Sequence, residues 1–333
     1  MNNSSALSAE ELLRVHVNPL VHVVQAIAFV ICFIFATVNN LLILIAFCKY
    51  QLLRNTPGLT HLAVLALFDL CIGLGCIGEA AAQYRAFMGI SITKAQCLTE
   101  FSFIVFGIEG SSLFVLFIAY DRLRALKYPI KYRTARHQLL ASVRGIVVAI
   151  AAGWLTFLGF VHSGDLSETI GYCNPSVCYT ATFALFMLAI VVTAMLVMLI
   201  LYIMLLVESK QALVKIDTWL GSHSVLAEMK RQAKLTRTVV ITVGAYLILW
   251  MTPYVINFIA VAMQVSPALQ MSIGCMMGMS QGVNASINFV IYAKKTPGFN
   301  ECIRKLFGMQ PPADTSSVVM TNSQVALPLT GGY

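Results

Sequence analysis

The amino-acid sequence predicts an all-α fold, a bundle of seven helices that each cross a membrane. Composition and the length of the apolar runs lead to this prediction. Of the 333 residues, 59% are hydrophobic and 11% are charged, whereas a soluble globular protein carries about 25% charged residues. So few charged side chains cannot coat a surface in water. The composition therefore excludes a soluble enzyme, a disordered protein and a nucleic-acid-binding protein, even though the net charge is +8.

Seven apolar stretches are long enough to cross a bilayer, which takes roughly 20 residues. Helix is the expected structure, because lipid offers no partner for free backbone groups, and the alternating pattern of a membrane barrel is absent. The longest run is interrupted at Gln264, Ser266 and Pro267, which divides it into spans six and seven. In chain order the runs are 23–47, 60–82, 101–120, 145–161, 178–207 and 238–293.

The basic residues lie almost entirely on one side of this predicted bundle. Of the 22 Lys and Arg residues, 19 flank the same ends of the spans, and an excess of positive charge marks the cytoplasmic side. The N-terminal segment 1–21 is therefore predicted to be extracellular, with overlapping glycosylation sequons at Asn2 and Asn3. We expect a multi-pass protein of the plasma membrane, surrounded by lipid.

Three of the nine cysteines lie on the predicted outer side, where disulfides can form. Cys97 stands at the outer start of span three, and Cys173 and Cys178 lie in the loop before span five. Either one can pair with Cys97. We favour Cys173, because Cys178 lies almost at the mouth of span five and would leave little loop to be held over the bundle.

Asp69 is the deepest acidic residue of span two, where a charge costs about 2.5–3.5 kcal/mol on insertion scales. It is therefore expected to face polar partners inside the bundle. Two interpretations remain open: a site for a small cation such as sodium, or a polar core that holds the helices together. The candidate partners are Asn40, Ser111, Asn284 and Asn288.

Span three carries Glu100, Ser111 and Arg122 at intervals of eleven residues. Eleven residues make almost three helical turns, so the three side chains share one stripe from the outer mouth to the inner edge. Arg122 can pair with the adjacent Asp121 in one state and with another partner in a second state, as a switch requires. The alternative is an ordinary interfacial arginine that reaches water.

Short motifs with the spacing of one receptor family are distributed over residues from about 20 to 308. The chain resembles the rhodopsin-like (class A) G-protein-coupled receptors and, within them, nematode chemosensory receptors of the Srsx type. The resemblance rests on Asn40 in VNNLL, LALFD ending at Asp69, Cys97 placed 25 residues before Arg122, Asp121-Arg122-Leu123, Trp154, Tyr202, Pro253 and Asn288-Phe-Val-Ile-Tyr292.

The resemblance implies a receptor, not an enzyme, that transmits the binding of an extracellular small molecule or peptide to a heterotrimeric G protein, with arrestin as a further partner. It divides the chain into a seven-helix domain (22–293), an amphipathic helix 8 (294–308) and a disordered cytoplasmic tail (309–333). The residues that match the family's activation and coupling switch are Asp121, Arg122, Tyr202, Pro253, Asn288 and Tyr292.

Several positions depart from the family pattern. Met251 stands where a tryptophan is expected, with Trp250 one residue early, and Phe289 replaces a proline. Ala233 stands where many members carry an acid that holds the span-three arginine. These changes leave open a receptor-like protein without G-protein signalling. A transporter is the other alternative, although the sequence shows no internal repeat.

The resemblance also implies a ligand pocket on the outer side, between spans three, five, six and seven. Ile104 replaces the aspartate of amine receptors, which argues against an amine bound there. Gly282 replaces the lysine that holds retinal, so we expect no cofactor other than the candidate sodium ion. Glu109 is expected to hydrogen-bond another helix from the face toward span four or five. The candidate pocket residues are Glu79, Glu100, Ile104, Phe186, Tyr254 and Phe258.

Overall fold

A computed structural model describes residues 19–56, 59–133, 136–170, 173, 178–217, 223–263, 265 and 267–309. Within these residues seven long helices form one bundle, which confirms the predicted fold class. Spans one to five are Pro19–Lys49, Thr60–Met88, Lys94–Lys127, His137–Val161 and Ala181–Asp217; span six runs through His223–Tyr246, a π-helical turn at Leu247–Met251 and Thr252–Ala262; span seven is Pro267–Lys295. Asn2, Asn3 and the tail from 310 onward lie outside the described residues.

Spans one to six combine the length and the hydropathy needed to cross a membrane. Span seven has 29 residues, which amounts to about 44 Å at 1.5 Å per residue and exceeds the roughly 30 Å hydrocarbon layer. The polar side chains in the middle of span seven face the inside of the bundle and not the lipid. Large apolar side chains such as Leu20, Ile150 and Leu185 are exposed on the outer surface, as a lipid-facing surface requires.

Spans two and three are the most buried helices and pack against each other through small residues. A Cβ atom at Gly75 would lie 2.4 Å from the Cβ of Ile104, and one at Gly110 would lie 2.1 Å from the ring of Phe68. Only glycine permits so close an approach of two backbones, a common device in membrane helix pairs. This contact fixes the position of span three, which carries most of the candidate site.

One end of the bundle carries the Cys97–Cys173 disulfide, and we call it the disulfide end. The strands Ile92–Thr93 and Thr169–Ile170 pair antiparallel beside it and join the loop after span four to the start of span three. The structure thus confirms Cys173 as the partner of Cys97, while Cys178 is a free, buried thiol.

The opposite end carries Asp121 and Arg122, and we call it the arginine end. Short helices at Gln51–Asn55 and Pro129–Arg133 lie here, followed after span seven by the terminal helix Pro297–Leu306. The terminal helix buries Phe299 and Ile303 against spans one and two, which confirms the predicted amphipathic helix 8. It begins at Pro297 instead of 294, because Lys294 and Lys295 continue span seven.

Candidate functional site

The span-three arginine is buried in the bundle and held by two partners. Arg122 is only 2% exposed, and its Nη2 donates to Asp121 Oδ2 at 2.5 Å. The same nitrogen donates to the hydroxyl of Tyr132, which in turn donates to Asp121 Oδ2 at 2.6 Å. Burial raises the pKa of the Tyr132 hydroxyl, so the phenol keeps its proton and remains a donor. Arg122 is therefore not an interfacial arginine that extends to water.

Asp121 connects four parts of the fold. Besides Arg122 and Tyr132, its carboxylate accepts a hydrogen bond from Arg144 Nη1 of span four at 3.1 Å. His61 of span two places Nδ1 at 3.9 Å from the same carboxylate. Three of these partners were missed in the sequence, because nothing in the local pattern brings Tyr132, Arg144 and His61 together. We call Asp121, Arg122, Tyr132, Arg144 and His61 the arginine cluster.

The two tyrosines of the expected switch lie near this cluster but differ in burial. Tyr292 of span seven is buried and lies within electrostatic range of Arg122 and beside Thr242 of span six. Tyr202 of span five is half-buried, and its hydroxyl oxygen lies 3.0 Å from where a Cβ of Gly244 would stand. Tyr202 therefore packs at the contact between spans five and six, where movement of span six would release it.

A polar core surrounds Asp69 in the middle of the bundle. Ser111 Oγ donates to Asp69 Oδ1 at 2.9 Å, and Asn288 Nδ2 donates to Asp69 Oδ2 at 2.7 Å. Asn40 does not bind Asp69 as expected; its Nδ2 donates to the backbone carbonyls of Ala36 and Ala285 at 2.9 and 3.0 Å. Asn40 Oδ1 and Asn284 Nδ2 are buried without a protein partner among the described residues.

Span six is interrupted at Pro253, and span seven compensates for the interruption. Proline lacks the N–H that would bond the carbonyl four residues earlier, which here belongs to Leu249. The hydroxyl of Ser280 in span seven donates to that carbonyl instead. A helix bond within span six is thus replaced by one between spans six and seven, and no local pattern in the chain indicates this replacement.

We expect Ser280→Ala to lower the free energy of unfolding by about 1–3 kcal/mol, because it leaves the Leu249 carbonyl buried without a donor. In a Pro253→Ala background the restored backbone N–H should remove most of that loss. Thermal unfolding of the four purified proteins measures this coupling. Ser286→Ala is the matched control, because the Ser286 hydroxyl donates only to Gly282 within its own helix. Equal losses for Ser280→Ala in both backgrounds would contradict the interpretation.

The π-helical turn in span six resolves the one-residue offset of Trp250. A π turn contains one residue more than an α turn. The π turn here spans Leu247–Met251, so it absorbs the one extra residue that separates Trp250 from Pro253. Trp250 is 2% exposed, and its ring lies 5.4 Å from the rings of both Tyr246 and Tyr254. The tryptophan, not Met251, therefore occupies the core of the bundle at this level.

The candidate pocket residues do not all face one cavity. Glu100 is paired with Arg85, and Ile104 packs against Gly75 of span two. Phe186 is 47% exposed and lines a shallow apolar groove of about 380 Å³ on the outside of spans three and five. Ile104 and Phe186 therefore do not form the expected inner walls. The side chain of Phe258 lies outside the described residues.

The two remaining intramembrane acids lie on different sides of the bundle. Glu79 Oε1 lies 3.4 Å from where a Cβ of Gly278 in span seven would stand. Glu109 lies within electrostatic range of Tyr254 in span six and Tyr179 before span five. Glu109 forms no recorded hydrogen bond to another helix in the described residues, so the expected helix-to-helix bond is not found. Tyr254 does face the interior, as expected of a pocket residue.

Comparison with known proteins agrees with this arrangement. Residues 33–307 match the family described as serpentine type 7TM GPCR chemoreceptor Srsx. The chain is similar to trace amine-associated receptor 8c of Mus musculus, with 26% identity over 300 residues, 81% of this chain and 82% of the relative. It is similar to trace amine-associated receptor 6 of Homo sapiens (26% over 348 residues, 96% of this chain and 97% of the relative). Olfactory receptor 7G2 of Homo sapiens is 29% identical over 181 residues, 52% of this chain and 54% of the relative.

Proposed function

Because the chain belongs to the Srsx family of serpentine seven-transmembrane chemoreceptors, we propose that it lies in the plasma membrane with the disulfide end outside the cell. Members of this class are G-protein-coupled receptors for extracellular ligands. The proposed orientation is supported by the excess of Lys and Arg at the arginine end. It leaves Asn2 and Asn3 available for glycosylation, and it exposes the arginine cluster to a G protein in the cytosol.

The buried state of Arg122 is the observation on which the proposed mechanism rests. An agonist bound near the disulfide end favours a bundle in which span six has moved outward. Arg122 then leaves Asp121 and Tyr132, and Tyr202 and Tyr292 approach it from spans five and seven. Pro253 provides the hinge, since its missing backbone bond is already replaced by a contact between helices. The opened basic face receives the G protein.

We propose a small organic molecule as the ligand. The relatives are named as trace amine-associated and olfactory receptors, and the disulfide holds the loop that contains Cys173 close to the start of span three. An arrestin is proposed as a second cytoplasmic partner, because the tail after 309 contains Thr315, Ser316, Ser317, Thr321, Ser323 and Thr330 as sites for phosphorylation.

A receptor tagged at its N-terminus and expressed with a promiscuous G-protein reporter tests this function. The expected result is a tag accessible on intact cells and a concentration-dependent response to at least one compound in a library of small odorants. A tag that is reached only after permeabilisation would contradict the orientation. Solute flux in liposomes without nucleotide exchange on a G protein would favour a transporter.

The polar core suits a sodium ion, which we propose as a negative regulator of agonist binding. Asp69 supplies the charge, and the side-chain oxygens of Ser111, Asn284 and Asn288 are the hard ligands that such a cation prefers. The buried Asn40 Oδ1 lacks a protein partner among the described residues and can accept from water or ligate a cation. The buried Asn284 Nδ2, also without a protein partner there, is a donor and supports an ordered water in this core.

We expect sodium to weaken agonist binding to the wild-type receptor about 5- to 150-fold, the usual range of coupling between two sites. Asp69→Asn should abolish this response, because the amide carries no charge to hold the ion. Radioligand competition in sodium and in N-methylglucamine buffers measures the effect. Glu301→Gln, which removes an exposed acid of the terminal helix, should respond like the wild type. An unchanged sodium response in Asp69→Asn would rule out this ion site.

A further inference from the structure

A buried carboxylate without a recorded protein partner lies on span three, in the half of the bundle toward the disulfide end. Glu109 is 8% exposed. It stands five residues beyond Ile104 on the way to the arginine end, about 7.5 Å deeper along the helix. Five residues also turn the helix by about 140°, so Glu109 points away from span two, against which Ile104 packs.

Three tyrosines from two other elements lie near this carboxylate. Tyr254 and Tyr246 of span six and Tyr179, which precedes span five, lie within electrostatic range of Glu109. Tyr246 and Tyr254 both pack against Trp250, and Tyr179 meets the ring of Phe183 edge-on at 5.0 Å.

The tyrosine hydroxyls do not supply a full set of donors to this carboxylate. The Tyr246 hydroxyl donates to Ser112 Oγ at 2.6 Å, which uses its only proton. The Tyr179 hydroxyl oxygen lies 3.1 Å from where a Cβ of Gly159 in span four would stand, so its ring packs beside that helix. Within the described residues, no hydrogen bond or ion pair to Glu109 is recorded.

No lysine or arginine of this half is available to neutralise Glu109. In the described part of the chain, these residues are Arg85, paired with Glu100, and Lys94, paired with Glu168 at 2.5 Å. Of the histidines there, His22 bonds Gln83 at 2.8 Å and His162 stacks on the ring of Phe183. An ionisable side chain inside a membrane protein is costly and marks a functional site by default, and a bound ligand of opposite charge offsets that cost. Aromatic faces attract the same kind of partner, because their quadrupoles bind organic cations.

We propose that Glu109 binds the ammonium group of a small protonated amine and that the rings of Tyr179 and Tyr254 bind the same cation by cation–π contact. This inference rests on the proposed function, and it deepens it by naming the charge of the ligand and the residue that recognises it. The bound amine lies closer to the arginine end than Ile104 does, so the absence of an aspartate at position 104 does not prevent amine recognition. The Ile104 side chain faces span two instead.

Glu79 is the rival acid, and its surroundings are different. It lies beside Gly278 and near the thiol of Cys76, in a core cluster of Phe29, Cys32 and small residues. No tyrosine or tryptophan is recorded as interacting with it in the described residues. Glu79 therefore has one phenyl ring beside it, that of Phe29, whereas Glu109 has three tyrosines within electrostatic range, and the two acids can be separated by mutation.

The first experiment uses amines and alcohols of matched shape as probes on the full-length receptor. The pairs are 2-phenylethylamine and 2-phenylethanol, isoamylamine and isoamyl alcohol, and cyclohexylmethylamine and cyclohexylmethanol. At least one amine should stabilise the purified wild type in a thermal-shift assay and activate the reporter, and its alcohol should do neither. Glu109→Gln should weaken the binding of that amine about 30-fold or more, since it removes one partner of a buried charge pair.

Asp165→Asn removes an exposed acid of the loop after span four and should leave the amine response within about threefold of the wild type. The inference is overturned if no amine binds, if an alcohol acts as well as its amine, or if Glu79→Gln and not Glu109→Gln loses the response. Amine binding that depends on Glu109 without nucleotide exchange would overturn the proposed function alone. A response unaffected by Glu109→Gln would overturn the inference alone.

A second pair of variants keeps the proposal testable if Glu109→Gln does not reach the cell surface. Tyr179→Phe retains the aromatic face and should keep amine potency within about threefold. Tyr179→Leu removes that face and should lower the potency of the amine about 2- to 30-fold, the range of cation–π contacts. Equal potency in the two variants would show that the ring does not contact the cation and would overturn the proposed binding mode.

Discussion

Replacing Arg122 with alanine should abolish agonist-stimulated nucleotide exchange while the receptor still reaches the cell surface. In the proposed mechanism Arg122 is the buried cation that the active state presents to the G protein, and alanine offers no group to take its place. Loss of one member of a buried charged contact lowers coupling by at least about 30-fold. The fold should survive, because Asp121 keeps Tyr132 and Arg144 as hydrogen-bond donors.

Arg124→Ala is the matched control for this experiment. Arg124 lies two residues further along the same helix but is exposed, so its removal changes the net charge equally without disturbing the arginine cluster. We expect near-normal exchange in this variant. Exchange must be compared at equal surface expression, measured with an N-terminal tag. If Arg122→Ala stimulated nucleotide exchange as well as the wild type does, the arginine cluster would not couple to the G protein.

Loss of the Cys97–Cys173 disulfide should have the largest effect on folding. Both sulfur atoms are buried, and the bond joins span three to the loop that carries the strand Thr169–Ile170. Removing a native disulfide costs about 2–5 kcal/mol in small secreted domains. Cys97→Ser and Cys173→Ser should therefore each reduce surface expression and the thermal unfolding temperature, and the double variant should add little to either single change.

Cys178→Ser separates this disulfide from its sequence alternative. Cys178 is a buried free thiol in the structure, and serine replaces it with nearly the same volume. Its expression should lie close to that of the wild type, far above the two variants that break the bond. Equal loss in Cys173→Ser and Cys178→Ser would indicate that Cys97 exchanges between both partners. Mass spectrometry of the non-reduced protein identifies the linked peptides directly.

Sequence reasoning located several site residues but not their neighbours. The pairing of Asp121 with Arg122 follows from adjacency in the chain, and the bonds from Ser111 and Asn288 to Asp69 were anticipated as polar residues at matched depth. Asn40 was expected to join them and does not, because the backbone carbonyls of Ala36 and Ala285 are closer acceptors. Depth in the membrane can be estimated from the chain, whereas the direction of a side chain depends on helix rotation.

The sequence alone determined the number of spans and the amphipathic terminal helix, and it favoured Cys173 over Cys178 as the partner of Cys97. These features depend on local hydropathy and on distances along the chain, since lipid forces each apolar run into a helix. Tertiary structure decided which polar groups meet. Tyr246 and Ser112 are 134 residues apart, and Ser280 and Leu249 belong to different spans. Such contacts depend on the rotation and tilt of whole helices, which packing between them sets.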